Sequence, residues 1–230
     1  MSATHAKLTW DGTGERFYHT GVKNGVLYVQ SGTSYPKGVA WNGLISVDST
    51  PDGAELQELW ADNMKYASFR SAETYGGTIK AYTFPDEFYA CDGYASPSNL
   101  DGMHIGQQNR ASFGFCYRTE IGNDTASDSD DGYILHLVYG ATVSPTDMTH
   151  ETINDSPSAG EMSWEFKTTP VTIASTTLAN GKATSYVQLN SLELGSTKMT
   201  AIENVLYGST TADARLPLPD EVATILAAAT

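Results

Sequence analysis

Hydrophobic and polar residues alternate with a period of two along several short segments, and turn residues separate these segments. In Ser112–Arg118, the aromatic residues Phe113, Phe115 and Tyr117 fall on one face, and smaller or polar residues fall on the other. Ser163–Thr168 repeats this pattern, with Trp and Phe opposite Glu and Lys. Such alternation is typical of strands in a sheet, so the chain is predicted to be mainly β.

A second kind of strand is predicted where both faces are apolar. Tyr133–Tyr139 is hydrophobic throughout except for His136, which indicates a central strand that is covered on both sides. We expect His136 to be a hydrogen-bonded core residue rather than a metal ligand. Further strands are predicted at Val26–Gln30, at Thr78–Phe84 with Pro85 as its stop, at Val171–Ala174 and at Ser185–Leu194.

The segment Ala54–Tyr66 is ambiguous between helix and strand. Its leucines suit a helix, whereas Trp60 to Asn63 is typical of a strand that a turn interrupts. The turn signal favours the strand interpretation.

Two helices are predicted. Pro85–Cys91 forms a short one, with Asp86 and Glu87 in its first turn, where the helix dipole favours acidic side chains. Thr200–Tyr207 forms the other, because Thr200 and the acidic residue three positions later have capping-box spacing and Gly208 provides a stop.

The remaining segments are predicted to be loops or arms of a single domain that spans residues 1–230. Ile121–Gly132 is a long acidic loop between two strong strand patterns. Leu216–Thr230 begins with LPLPDE, and its two prolines favour an extended C-terminal arm in which Asp220 starts a last short helix. The chain has no internal repeat.

Composition and charge limit the possible partners. The chain has 13 basic and 27 acidic residues, which gives a net charge of −14. A protein this acidic is unsuited to holding nucleic acid by neutralising phosphates, but it can form a repulsive surface along which DNA moves. We find no signal peptide and no segment that is apolar for long enough to span a membrane.

The sequence lacks the arrangements that most enzymes of this size carry, so we expect no catalytic, cofactor or metal site. It contains no GxSxG, HExxH or GxxxxGK[ST] motif, and its five histidines lack metal-ligand spacing. Cys91 and Cys116 are 25 positions apart and are expected to be reduced, buried thiols.

One metal hypothesis remains open in the acidic loop. Asp124, Asp128, Asp130 and Asp131 supply the carboxylate oxygens that calcium prefers. The EF-hand register fails, because position twelve counted from Asp128 is Tyr139. A solvated or inter-subunit acidic loop is the simpler interpretation.

The strings IGQQNRASFGFCYRTEIGND and GYILHLVYGATVSP occur at Ile105–Asp124 and Gly132–Pro145. In these strings most strongly, and from about Trp10 to about Val222 as a whole, the chain resembles the major tail proteins of siphophages that infect Gram-positive bacteria. The other segments that carry the resemblance are Gly38–Leu44, Glu58–Tyr66, Tyr82–Gly93, Thr152–Val171 and Ala214–Val222. The aspartate-rich stretch after Asp124 and the Ala-rich end depart from the family.

The resemblance implies a tail-tube fold, which is a β-sandwich or half-barrel with one flanking helix and long inter-subunit loops. It implies stacked hexameric rings whose inner sheets join into a continuous β-barrel, the channel for DNA ejection. The implied location is the virion tail, after synthesis in the host cytoplasm. The implied partners are further copies of the chain, tape-measure and tail-terminator proteins, and double-stranded DNA that passes through without specific binding; no membrane partner is implied.

In this arrangement the helix at Thr200–Tyr207 would cover the outer face of the sheet. The loop Ile121–Gly132 and the two termini would reach a neighbouring ring. A different class of function also fits the composition: a secreted or surface β-sandwich module that binds carbohydrate or depends on calcium, for which the many tyrosines and the acidic loop are suited.

Overall fold

A computed structural model describes residues 7–53, 55–71, 73–125, 132–146, 148, 152, 159–175, 178 and 182–229. The protein is mainly β, as the alternation predicts, with one large antiparallel sheet. The strands are β1 (Phe17–Val29), β2 (Gly38–Trp41), β3 (Leu44–Ser49), β4 (Asp52–Gly53), β5 (Leu56–Ala61), β6 (Met64–Arg70), β7 (Glu73–Thr74), β8 (Gly76–Ala81), β9 (Phe113–Asn123), β10 (Gly132–Val143), β11 (Met162–Thr168) and β12 (Tyr186–Asn190). The helices are α1 (Phe88–Cys91), α2 (Ser191–Leu194), α3 (Ser196–Leu206) and α4 (Pro219–Ala228).

The large sheet is curled. Its strand order is β2-β1-β9-β10-β11-β8-β3, and β12 also pairs with β10. The end strands β2 and β3 are joined by only Asn42 and Gly43. Because consecutive Cα atoms are about 3.8 Å apart, the end strands come within roughly 11 Å of each other. The two edge strands of the sheet, β2 and β3, therefore lie close to each other.

The curl is made possible where β10 changes its partner. Residues 134–138 of β10 pair with β12, and residues 141–143 pair with β11. Gly140 lies at the change with a φ of +62°, and the register with β9 shifts at the same point. A left-handed backbone conformation in a bulge bends a strand and costs glycine little.

One hydrophobic cluster fills the inside of the curled sheet. Trp41 of β2 lies edge-on to Trp164 of β11, with ring centroids 5.8 Å apart, although the two strands are far apart in the strand order. Phe88 of α1 packs between them, with ring centroids 4.6 and 5.1 Å from the two indoles. The predicted aromatic face of β9 contributes Phe113 and Phe115 to this cluster.

A second cluster covers the opposite face of the sheet. Cys116 and Leu137 belong to it, and α3 and α4 close it with Ile202, Leu206 and Val222. The prediction that Tyr133–Tyr139 is covered on both sides is confirmed, because Leu137 and Val138 enter different clusters.

The segment 216–230 does not form an arm, but the short helix predicted to start at Asp220 is confirmed as α4, which begins one residue earlier. Only the start of the segment is extended: Leu216 forms a bridge with Tyr35. Pro219 then occupies the first helical position of α4, whose ten residues pack on the body rather than project from it. Asp220 accepts hydrogen bonds from the backbone of Ala174 and Ser175 at 2.7 and 3.2 Å, which ties the helix start to the domain.

The predicted limits of the neighbouring helices also need correction. The strand predicted at Ser185–Leu194 ends at Asn190, because the Asn190 side chain accepts from the Leu192 amide at 3.0 Å and caps α2. The helix α3 begins at Ser196, after Gly195 with a φ of +79°, so Thr200 lies inside it and caps nothing. The stop at Gly208 is confirmed by its φ of +82°.

Four further predictions change in detail. Val171–Ala174 is not a strand; Val171 forms only a bridge with Thr184. The predicted strand Thr78–Phe84 lies in β8, which ends at Ala81, and α1 begins only after Asp86 and Glu87, so these acids precede its first turn. The acidic loop is shorter than Ile121–Gly132, because β9 runs to Asn123 and β10 starts at Gly132; residues 126–131 lie outside the described residues.

None of the helices in the described ranges has the length and apolar character that crossing a membrane requires.

Replacing Gly140 with alanine should destabilise the fold. A Cβ atom there would lie 2.2 Å from the Thr169 carbonyl oxygen, and the positive φ adds strain of about 1–2 kcal/mol. We expect Gly140→Ala to lower the free energy of unfolding by about 2 kcal/mol or more in urea denaturation. Gly160→Ala is the matched control, because no atom lies within 4 Å of its added Cβ. Equal stability of the two variants would contradict the role given to Gly140.

Candidate assembly surfaces

A two-stranded hairpin projects from the large sheet as a continuation of the β3–β8 pair. We call residues 56–70, which comprise β5, β6 and their turn, the hairpin arm. Its turn residues Asp62 and Asn63 have φ values of +51° and +61°, the conformation of a two-residue hairpin turn. The short pair β4–β7 connects the arm to the sheet. The prediction of a strand that a turn interrupts is confirmed.

The hairpin arm lacks a hydrophobic partner among the described residues. Every residue of β5 and β6 is exposed, including Trp60 at 66% and Tyr66 at 75%. The other large hydrophobic side chains of the arm are Leu56, Leu59, Met64 and Phe69, and each is also exposed. A two-stranded hairpin in water is only marginally stable by itself. Contiguous exposed apolar surface of this kind is typical of an interaction site.

A second candidate surface is the free edge of β1. This strand pairs with β9 along its length but with β2 only from Gly25 to Tyr28. Within the described ranges, no strand pairs with the outer edge of residues 17–24, where Phe17 and Tyr18 are exposed. Unpaired backbone groups on such an edge can accept a strand from another molecule.

The acidic loop and the two termini, which were predicted to reach a neighbouring ring, differ in where the structure places them. Most of the acidic loop lies outside the described residues, as do Asp128, Asp130 and Asp131 of the calcium hypothesis. Asp124 is tied down locally, since it accepts from the Gly14 amide at 3.0 Å and lies 3.3 Å from a guanidinium nitrogen of Arg16. The C-terminal segment packs on the body. Near the N-terminus, Trp10 is 75% exposed.

The hairpin arm, by contrast, was missed as a functional surface. Its signal in the sequence is that large apolar residues occur on both alternating faces of a hairpin, beside the polar residues of those faces.

His136 is a hydrogen-bonded residue of the sheet, as predicted. Its Nε2 lies 2.8 Å from the Thr119 hydroxyl, and its Nδ1 lies 2.5 Å from the Tyr186 hydroxyl. Its ring stacks on Tyr117 at a centroid distance of 4.4 Å. Burial lowers the pKa of His136 from 6.5 to about 4, with a smaller contribution from His19. Within the described part of the chain, no three His, Cys, Asp or Glu residues are grouped so as to hold a metal ion.

Both cysteines are free and fully buried, as predicted. Burial raises the pKa of the Cys91 thiol to about 12 and also raises the pKa of the Cys116 thiol. Neither thiol is therefore suited to nucleophilic chemistry.

A cavity of about 330 Å³ lies between the segment from Asp92 to Arg110 and β11. The Arg110 guanidinium donates to the Asp92 carbonyl oxygen at 3.1 Å and so closes this segment at its base. Trp164 lines the cavity but is only 1% exposed, so its indole provides no open surface for stacking a sugar ring.

Among known proteins, no family model and no curated sequence matches the chain. The resemblance to the major tail proteins stays a prediction.

The low pKa of His136 predicts a loss of stability in acid. In the unfolded chain the His136 imidazole binds a proton near pH 6.5, whereas in the folded chain it binds a proton only near pH 4. The contribution of His136 is therefore complete above about pH 6.5 and is lost as the pH falls towards 4. Because the ring is partly exposed, we expect a loss of no more than about 3 kcal/mol.

The measurement is the free energy of unfolding of the wild type and of His136→Gln between pH 7.5 and 4. The wild type should lose more stability than the variant across this range, because glutamine does not titrate. Parallel curves for the two proteins would show that His136 does not titrate as described.

Proposed function

We propose that this chain is the structural subunit of a bacteriophage tail tube, which assembles as stacked hexameric rings around the channel for DNA ejection. The observation that carries the proposal is the hairpin arm. A well-packed body that also presents an arm with unpartnered aromatic and aliphatic side chains is suited to contacting further molecules. From the resemblance in Ile105–Asp124 and Gly132–Pro145, we infer that those molecules are copies of the chain.

The curled sheet supports assembly into rings. One of its faces is filled by the inner cluster and the other is covered by α3 and α4, so its strand edges are the parts left for contact. Free edges invite aggregation in a monomer, but they become subunit contacts when a ring closes. The outer edge of residues 17–24 is one such edge. We infer a tail-tube type of β-sandwich or half-barrel, with α3 on the outer side.

The net charge supports passage of DNA. Each subunit carries a net charge of −14, so a ring of six would be strongly negative as a whole. Acidic side chains in the lumen would repel the phosphate backbone and let the genome slide without binding. The same surface would meet the tape-measure protein before DNA enters, and a terminator protein would close the tube. In this role the chain performs no catalysis and works in the virion tail.

The proposal predicts rings or tubes from the purified protein. Negative-stain electron microscopy over increasing protein concentration should show six-fold rings and a regular stacking repeat, and light scattering should show the matching mass. A structure of the tube should show an acidic lumen.

A strictly monomeric particle at high concentration would contradict this function and would favour the binding-module alternative. Tubes with a basic lumen would leave the assembly in place but overturn the account of DNA passage.

A further inference from the structure

We propose that the hairpin arm is clamped between two further copies of the chain, one against each of its faces. This inference rests on the proposed function, because the second and third copies are those of the tube. It adds that the arm is buried on both sides, rather than laid flat on a single neighbour.

The register of the hairpin defines two faces with different chemistry. The pairs Leu59–Ala67 and Gln57–Phe69 lie on one side, and Glu58–Ser68 and Trp60–Lys65 lie on the other. The Lys65 ammonium contacts the Glu58 carboxylate at 2.5 Å, as expected for side chains on the same side. The uncharged face comprises Gln57, Leu59, Ala61, Met64, Ala67 and Phe69. The charged face comprises Leu56, Glu58, Trp60, Lys65, Ser68 and Arg70.

Both faces carry large hydrophobic side chains that are exposed. Phe69 is 54% exposed on the uncharged face, and Trp60 is 66% exposed on the charged face. A surface that packs against a two-stranded ribbon covers only one of its faces, since side chains alternate across the strand. Covering both Phe69 and Trp60 therefore takes two separate surfaces. In a stack of rings, each copy has one kind of neighbour within its ring and another in the next ring.

Charge favours copies of the same chain as the occupants. Two bodies of net charge −14 repel each other, so they can approach closely only through surfaces that are neutral or positive. The uncharged face has no ionisable side chain. On the charged face, Glu58 and Lys65 neutralise each other, and Arg70 leaves one positive charge to meet an acidic neighbour. Each face of the arm is thus compatible with the acidic body of another copy.

Two neighbouring positions in β6 report on the two faces separately. Ala67 is on the uncharged face and Ser68 on the charged face, and both are exposed. Ala67→Cys and Ser68→Cys each introduce one reactive thiol with little change in size. The native Cys91 and Cys116 are 0% exposed and give no background. Ala67→Ser and Ser68→Ala are the controls for the substitutions, and both should assemble as the wild type does.

The measurement is the rate at which a thiol-reactive dye labels each variant as dispersed subunits and as assembled tubes. We expect both thiols to react rapidly in the dispersed subunits and at least tenfold more slowly in tubes. Protection at only one position would overturn the clamp, because a single neighbour would then suffice. If neither thiol is protected in well-formed tubes, the arm does not pack against copies of the chain there. That result would overturn the clamp, but it would not contradict the tube function. Subunits that never assemble would reject the tube function itself.

A second measurement needs no new cysteine. Of the four tryptophans, Trp41 and Trp164 are buried, so Trp10→Phe leaves Trp60 as the exposed one. Acrylamide should quench this variant strongly as dispersed subunits and weakly as tubes. Unchanged quenching in tubes would show that the charged face stays open and would overturn the clamp.

Discussion

The bend in β10 at Gly140 is the constraint on which the rest of the structure depends. Its amide donates to the Tyr35 hydroxyl at 2.9 Å, and its carbonyl oxygen accepts from the Thr169 amide at 2.9 Å. The strand therefore leaves β12 and joins β11 without losing backbone hydrogen bonds. This change of partner lets one sheet curl around the aromatic inner cluster, while Tyr35 holds the C-terminal segment through its bridge to Leu216.

The two faces of the sheet are covered by different kinds of side chains. Inside, large aromatic rings such as Trp41 and Trp164 meet edge-on across the curl and fill much of the interior. Outside, the aliphatic side chains of α3 and α4 cover Leu135 and Leu137. Two buried tyrosine hydroxyl groups donate to backbone carbonyl oxygens: that of Tyr28 to Leu206 at 2.6 Å, and that of Tyr139 to Pro217 at 2.9 Å. The body is thus complete as a folded unit.

The hairpin arm contrasts with this body because, among the described residues, neither of its faces packs on the large sheet or on a helix. Its hydrogen bonds and its turn define its shape, but little apolar burial supports it. Burying the exposed rings and aliphatic chains of the arm would contribute a large favourable hydrophobic free energy, which the monomer does not gain. An assembly that covers the arm would gain this free energy and would also add packing to a hairpin that is marginal alone.

The sequence by itself determined the strands with strong alternation, the turn at Asp62 and Asn63, and the helix stop at Gly208, because these depend on neighbours in the chain. The tertiary structure decided the rest. The sequence predicted a short helix from Asp220, but its packing on the body depends on the Ala174 and Ser175 amides, which hold Asp220, and on the burial of Val222. The turn signal predicted the strands on either side of Asp62 and Asn63, but not their exposure, since a strand pattern does not show what lies against each face.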